Sequence, residues 1–151
     1  MKTEIVSSDF CRGLVCDDEN NQYISEHAFD LLHFIVEKRL LIGRLTIADA
    51  TNVHEHARRQ LINIAKKHNC LSVAIAFNLP EEFSRERDRT RIDRHVGGSV
   101  IRNHMNLLKK SINTLNDECY KYVYILNSEE EVNNVEIIRE GWVPSLIISI
   151  R

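Results

Sequence analysis

The sequence predicts an α/β fold with a mostly parallel sheet. Helix-patterned and strand-patterned segments alternate along the chain, residues 71–77 form an unbroken apolar run containing valine and isoleucine, and polar groups follow directly on two predicted strands. Alternation of this kind builds βα units. The unbroken run suits a parallel strand buried on both faces. In such sheets ligands sit beyond the carboxyl ends of the strands. Ser7-Ser8-Asp9 and Asp49-Ala50-Thr51-Asn52 therefore stand where chemistry is expected.

The elements follow in order. Residues 4–7 read as short and extended. Residues 25–41 carry Ala28, Phe29, Leu32, Ile35 and Val36 at helical spacing, with Gly43 as the stop. His33 lies inside this pattern and reads as a packing histidine with its hydrogen bonds satisfied. Residues 45–48 read as a buried strand ending at Asp49. Residues 53–68 form a second helix, capped by Thr51 or Asn52, with Ala57, Leu61, Ile64 and Ala65 as its inner stripe. Pro80 opens a helix at 81–89. Residues 93–116 read as one long helix that weakens at Gly97-Gly98. Residues 120–126 are the last clear strand, and Ser128-Glu129-Glu130-Glu131 is a capping-box start for a short helix.

Composition narrows the function. Hydrophobic residues at 43% supply enough material for a core, and a net charge of −2 excludes nucleic-acid binding through bulk charge. Such binding would need a local basic patch. Cys11, Cys16, Cys70 and Cys119 are scattered without a CxxC pair, and the chain carries neither a signal-peptide pattern nor an apolar run long enough to span a bilayer. Free thiols in the cytoplasm, with no membrane partner, are the expectation. His54-x-His56 has no third ligand nearby and reads as surface, so no side-chain metal site is expected.

Three groups could carry chemistry. Asp9 and Arg12 are three residues apart after the first strand, so a helical turn would place them on one face. Transfer of a phosphoryl group to a hydroxyl needs such a pair: a carboxylate for the proton and an arginine fork for a nearby phosphate. The plainer reading is an N-cap at Asp9 with a surface ion pair. Asp49 ends a strand, where an acid can hold Mg²⁺ or brace a phosphate loop, or simply cap the structure. Arg85, Arg87, Arg89, Arg91 and Arg94 form the densest basic cluster. Arg87, Arg91 and Arg94 would share one side of a helix. They suit a flap over a polyphosphate, or a solvated helix paired with Glu82, Glu86, Asp88 and Asp93.

Together these motifs resemble a known family. Ser7-Ser8-Asp9-Phe10-Cys11-Arg12-Gly13, Asp49-Ala50-Thr51-Asn52-Val53, Arg87-x-x-x-Arg91-x-x-Arg94, Val100-Ile101-Arg102 and Lys109-Lys110-Ser111 look like the kinase module of bacterial polynucleotide kinase-phosphatases, which are RNA end-healing enzymes. The phage-type polynucleotide kinases are similar in outline. The resemblance implies a P-loop kinase-like sheet, ATP and Mg²⁺ as cofactors, and an RNA or DNA 5′-hydroxyl end as acceptor. It implies that Asp9 is the general base and that Arg12 holds the acceptor phosphate. Arg87 and Arg91 would be lid residues on ATP, Arg94 would assist them, and Asp49 would support the phosphate loop and metal. It also implies one cleft shared by Asp9, Arg12 and Asp49, with the 87–94 segment above it. A small-molecule kinase and a non-catalytic nucleic-acid-end-binding remnant are the alternatives.

One departure from the family is large. Its Walker A loop has the form G-x-x-x-x-G-K-[ST], whereas this chain has no Gly-Lys dipeptide and no glycine before Gly13. Residues 1–136 therefore read as a polynucleotide kinase-like domain truncated at its start, lacking the Walker A strand and helix and inactive alone. Residues 137–151 read as a divergent tail. In the family the Walker A strand lies between the strands that match 45–48 and 71–77. Without it those strands pair with each other, accept another chain or a second copy, or take in the β-branched run at 146–150. The expectation is that this tail frays as termini do.

Overall fold

Local signals set most element boundaries. The computed structural model describes residues 4–92, 95–136, 138 and 145–151. β1 (Ile5–Ser7) runs directly into α1 (Ser8–Cys16), where the Ser7 hydroxyl accepts the Phe10 amide at 3.5 Å. Ser7, not Asp9, is therefore the cap. α2 (Ser25–Leu41) buries Ala28, Leu32, Val36 and Leu40, one per helical turn. It stops where Gly43 adopts φ 69° and its amide reaches Leu40 O at 2.9 Å. That left-handed geometry suits glycine.

β2 (Thr46–Asp49) leads to α3 (Glu55–Lys67), and β3 (Leu71–Phe77) leads to α4 (Glu81–Thr90), which Pro80 opens. The expected cap of α3 by Thr51 or Asn52 is not formed. His54 occupies the cap position without a side-chain bond, while Asn52 takes φ 46° and donates its side-chain amide to Ser149 O at 2.8 Å. The buried face of α3 is Arg58, Leu61, Ile62 and Ala65, so its stripe is shifted from the expected one.

The single long helix expected at 93–116 is also corrected. α5 spans Gly98–Ile112, preceded by Gly97 at φ 86°, and Asp93 lies outside the described residues. β4 (Tyr122–Leu126) is followed by α6 (Glu129–Asn134). The Ser128 hydroxyl accepts the Glu131 amide at 3.1 Å, and the Glu131 carboxylate accepts the Asn127 amide at 2.6 Å. This is a reciprocal cap in the manner of a capping box.

The tail does not fray. Ser145–Ile150 forms β5, inserted parallel between β2 and β3, and the sheet order is β1-β2-β5-β3-β4. On one edge Asp49 pairs with Ser149, and on the other Ala76 pairs with Ile150. Leu146, Ile148 and Ile150 are fully buried in one cluster with Val6, Ala48, Ala74, Ala76 and the inner residues of α2 and α3. Frayed ends are favoured only where ordering gains nothing. Here the tail gains a ladder on both edges and a place in the core. Trp142 lies outside the described residues.

His33 corrects another expectation. Its ring packs 6.1 Å from Phe29, but its buried Nε2 has no hydrogen-bond partner among the described residues. Burial pushes its pKa below the ordinary 6.5, against a smaller opposing pull from Asp30. Because the folded value is depressed, its share of stability is complete above 6.5 and is lost as pH falls toward the folded value. A His33→Leu chain should therefore show a flatter decline of Tm with acidification below 6.5. Parallel Tm–pH curves for the two chains would refute this.

Deleting residues 145–151 should abolish cooperative unfolding and give insoluble protein. Each buried backbone group left unpaired costs about 1–3 kcal/mol, against a net domain stability of about 5–15 kcal/mol. The milder Ile148→Ala should cost about 2–5 kcal/mol, read from urea melts. A deletion that stays soluble and keeps the parent Tm would show that the ladder is dispensable.

Candidate functional site

The parallel strands deliver their carboxyl ends to one side of the sheet, and a cleft of about 460 Å³ opens there. Ser8 and Asp9 reach it from the start of α1, Thr51 from just after β2, Phe77 and Leu79 from the end of β3 and beyond, and Arg151 from just after β5. Arg87 and Arg91 line it from α4 and the residue beyond it. Asp9, Arg87 and Arg91 are thus brought together. Arg94 lies outside the described residues.

Arg12 does not line the cleft. It is 4% exposed, which is far from a surface pair. Its Nη1 donates to Asp9 Oδ1 at 2.7 Å and to Glu19 O at 2.6 Å, while its Nε has no hydrogen-bond partner among the described residues. The guanidinium stands behind Asp9 and fixes the carboxylate.

The arginine segment is not the one continuous helix expected. α4 buries none of its residues, and it ends at Thr90, so Arg91 is extended rather than one turn on from Arg87. Arg87 lies 5.8 Å from the Phe83 ring, a cation–π contact. Asp88 staples the segment: its carboxylate accepts the Val96 amide at 2.7 Å and the Gly97 amide at 3.3 Å. The Val96 bond is the main reason its pKa lies below the ordinary 3.8. At the other end of α4, Glu81 accepts from Arg85 at 2.8 Å and meets Arg102 of α5 at 3.7 Å.

Asp49, expected in the same cleft as Asp9, does not line it and instead faces an unexpected partner. Arg151 Nη2 stands 3.0 Å from Asp49 Oδ1, and the Arg151 amide donates to Thr51 O at 3.1 Å. The signal for Arg151 was its position one residue after a β-branched apolar run. That signal counts only if the run joins the sheet parallel to β2. His54 and His56 are exposed as expected, although their rings stack 5.4 Å apart. Among the described residues, no group of three or more His, Cys, Asp or Glu is arranged to hold a metal ion. Among them, too, no helix is long and apolar enough to cross a membrane.

An all-parallel five-stranded sheet flanked by helices, with its cleft beyond the strand ends and arginines above it, defines a P-loop kinase-like nucleotide-binding domain. Residues 1–115 match the AAA domain family AAA_33, and the chain belongs to that family. The match runs from β1 through α5 and stops before β4 and β5. No curated protein matches the chain.

Asp88→Ala should release the loop after α4. The Val96 and Gly97 amides should exchange faster while the global Tm stays nearly unchanged, because the staple is on the surface. The sign with pH follows from the depressed pKa: the staple is intact above 3.8 and is lost as pH falls through the lower folded value. Unchanged exchange at Val96 in the variant would mean that Asp88 does not hold the loop.

Proposed function

We propose that this chain is a polynucleotide 5′-hydroxyl kinase-type domain that recognises an RNA or DNA 5′ end and does not transfer phosphate by itself. The observation that carries the reading is the single cleft shared by Asp9, Arg87 and Arg91. Asp9 is the general base for the 5′-hydroxyl, and Arg12 positions that carboxylate through the bond at 2.7 Å. Arg87 and Arg91 close on a polyphosphate and neutralise its charge.

Domains of this class use ATP with Mg²⁺. The residues present fit the two halves of that cofactor unequally. The cleft arginines suit a polyphosphate chain, whose binding is mostly charge complementarity. A metal finds less: Asp49 already faces Arg151 at 3.0 Å, and the Gly-Lys-Ser/Thr run that would present a metal-binding hydroxyl does not occur in the chain. The residues present therefore support acceptor and polyphosphate recognition more than metal binding. The second reading, a non-catalytic end-binding domain, is favoured by β5 and Arg151 occupying the sheet position that a phosphate loop would follow.

Phosphoryl transfer depends almost wholly on positioning and electrostatic stabilisation, so a chain without loop and lysine should lack it. Purified protein should transfer no label from ATP to a 5′-hydroxyl oligonucleotide, yet should bind that oligonucleotide in fluorescence anisotropy. Arg87→Ala with Arg91→Ala should weaken binding of ATP, and nucleosides should compete poorly with the oligonucleotide. Robust label transfer would overturn the inactive assignment. Efficient competition by nucleosides would instead indicate a small-molecule kinase.

A further inference from the structure

We infer that Arg151 is a polyphosphate-binding residue, forming with Arg87 and Arg91 a three-arginine anion site. The inference rests on the cleft reading above and names a ligand contact for it. Its basis is the placement of β5. That strand is central and parallel, so its carboxyl end opens where ligands of such sheets bind. Arg151 follows it directly and lines the cleft with Asp9, Thr51, Arg87 and Arg91.

The guanidinium is held in advance. Its main chain is fixed by the bond to Thr51 O, and one terminal nitrogen is anchored on Asp49. An arginine has five N–H donors in a rigid fork, so one carboxylate does not exhaust it. The side chain remains 46% exposed, open enough to meet a ligand. Three cations therefore face one space. The carboxylates around them are largely engaged: Asp9 with Arg12, Asp88 with two amides, and Asp49 with Arg151 itself. Glu129 is a further acid on the rim. This arrangement favours a short, highly charged anion whose oxygens reach several arginines at once, such as a triphosphate chain.

The test uses the full chain and inorganic tripolyphosphate in metal-free buffer, by calorimetry, with a 5′-hydroxyl oligonucleotide measured in parallel. Wild type should bind tripolyphosphate. Arg151→Ala should weaken it by about ten- to a hundredfold, the range for charge-assisted hydrogen bonds. Arg151→Lys should restore part of the loss, since it keeps the charge without the fork. Asp49→Asn should tighten binding, because it removes a competing carboxylate, and adding Arg151→Ala to it should erase that gain. No binding by wild type, or equal binding by wild type and Arg151→Ala, would overturn the inference. So would weaker binding in Asp49→Asn, which would make the acid a supporter of the ligand. If only the oligonucleotide arm fails, the acceptor assignment falls while the arginine site stands. If only the Arg151 arm fails, the reverse holds.

Discussion

The structure depends on one constraint: a buried parallel strand must have its backbone bonded on both edges. β2 and β3 each lie inside the sheet, and β5 is what bonds to both of them. Without β5, two rows of buried amides and carbonyls would face each other across a strand-wide gap, and spacing of roughly 4.8 Å between neighbours leaves no room for compromise. The core follows from the same strand. Leu146, Ile148 and Ile150 fill the centre of the cluster, flanked by the small residues Ala48, Ala74 and Ala76 on either side. Small neighbours around large central side chains let α2 and α3 approach closely, which is the shape complementarity that close packing requires.

The ladder also organises the polar interior. Asn52 bonds to Ser149 O on β5, and its own carbonyl accepts Arg58 Nη1 at 2.9 Å. Arg58 in turn meets Glu118 through two nitrogens and Ser111 at 3.0 Å. The Ser111 hydroxyl donates to Val53 O at 2.7 Å. One buried guanidinium thus ties the loop after β2 to the end of α5 and the turn beyond it. Burying such a charge is costly unless it is paired and its donors are satisfied, so this network secures one arrangement more than it adds stability. Glu118 and the burial of Tyr120 belong together. Burial pushes the Tyr120 pKa up first, and the nearby Glu118 charge adds to it.

What the sequence revealed divides along the distance between partners. α2 at 25–41 and β3 at 71–77 agree with the reading residue for residue, because their periodicity and length are local properties. Ser128 is the same kind of case, its cap being three residues away. Asn52 was misassigned because its side chain serves Ser149, 97 residues distant, rather than its own helix. Arg58 was left out of the α3 stripe because charge argues for solvent, and its partner Glu118 is 60 residues away. The helix expected at 93–116 was overextended for a related reason: a carboxylate on the preceding helix binds the amides of Val96 and Gly97. β5 was the largest miss. Its β-branched composition was visible, but parallel pairing on two edges is set by strands far back in the chain. The cleft lining was legible in residue type at Asp9, Arg87 and Arg91, and illegible at Arg151.

That last residue connects packing to chemistry. Side chains alternate along a strand, so sliding β5 by one residue would turn Leu146, Ile148 and Ile150 out of the core and bring Ile147 and Ser149 in. Burying a leucine- or isoleucine-sized side chain contributes about 1.5–3 kcal/mol, so moving three of them to the less fully buried face is a real cost against a typical domain's net stability of about 5–15 kcal/mol. Hydrophobic burial therefore favours this register, and the Asn52 bond to Ser149 O at 2.8 Å agrees with it. The same register sets Ser149 beside Asp49 and carries Arg151 to within 3.0 Å of that carboxylate. The ion pair itself is half exposed and contributes little to holding the strand. Its placement is inherited from the packing of Leu146, Ile148 and Ile150, none of which lines the cleft. A solvent-facing guanidinium can then be held over the cleft without stabilising the fold, which leaves donors for the polyphosphate proposed above.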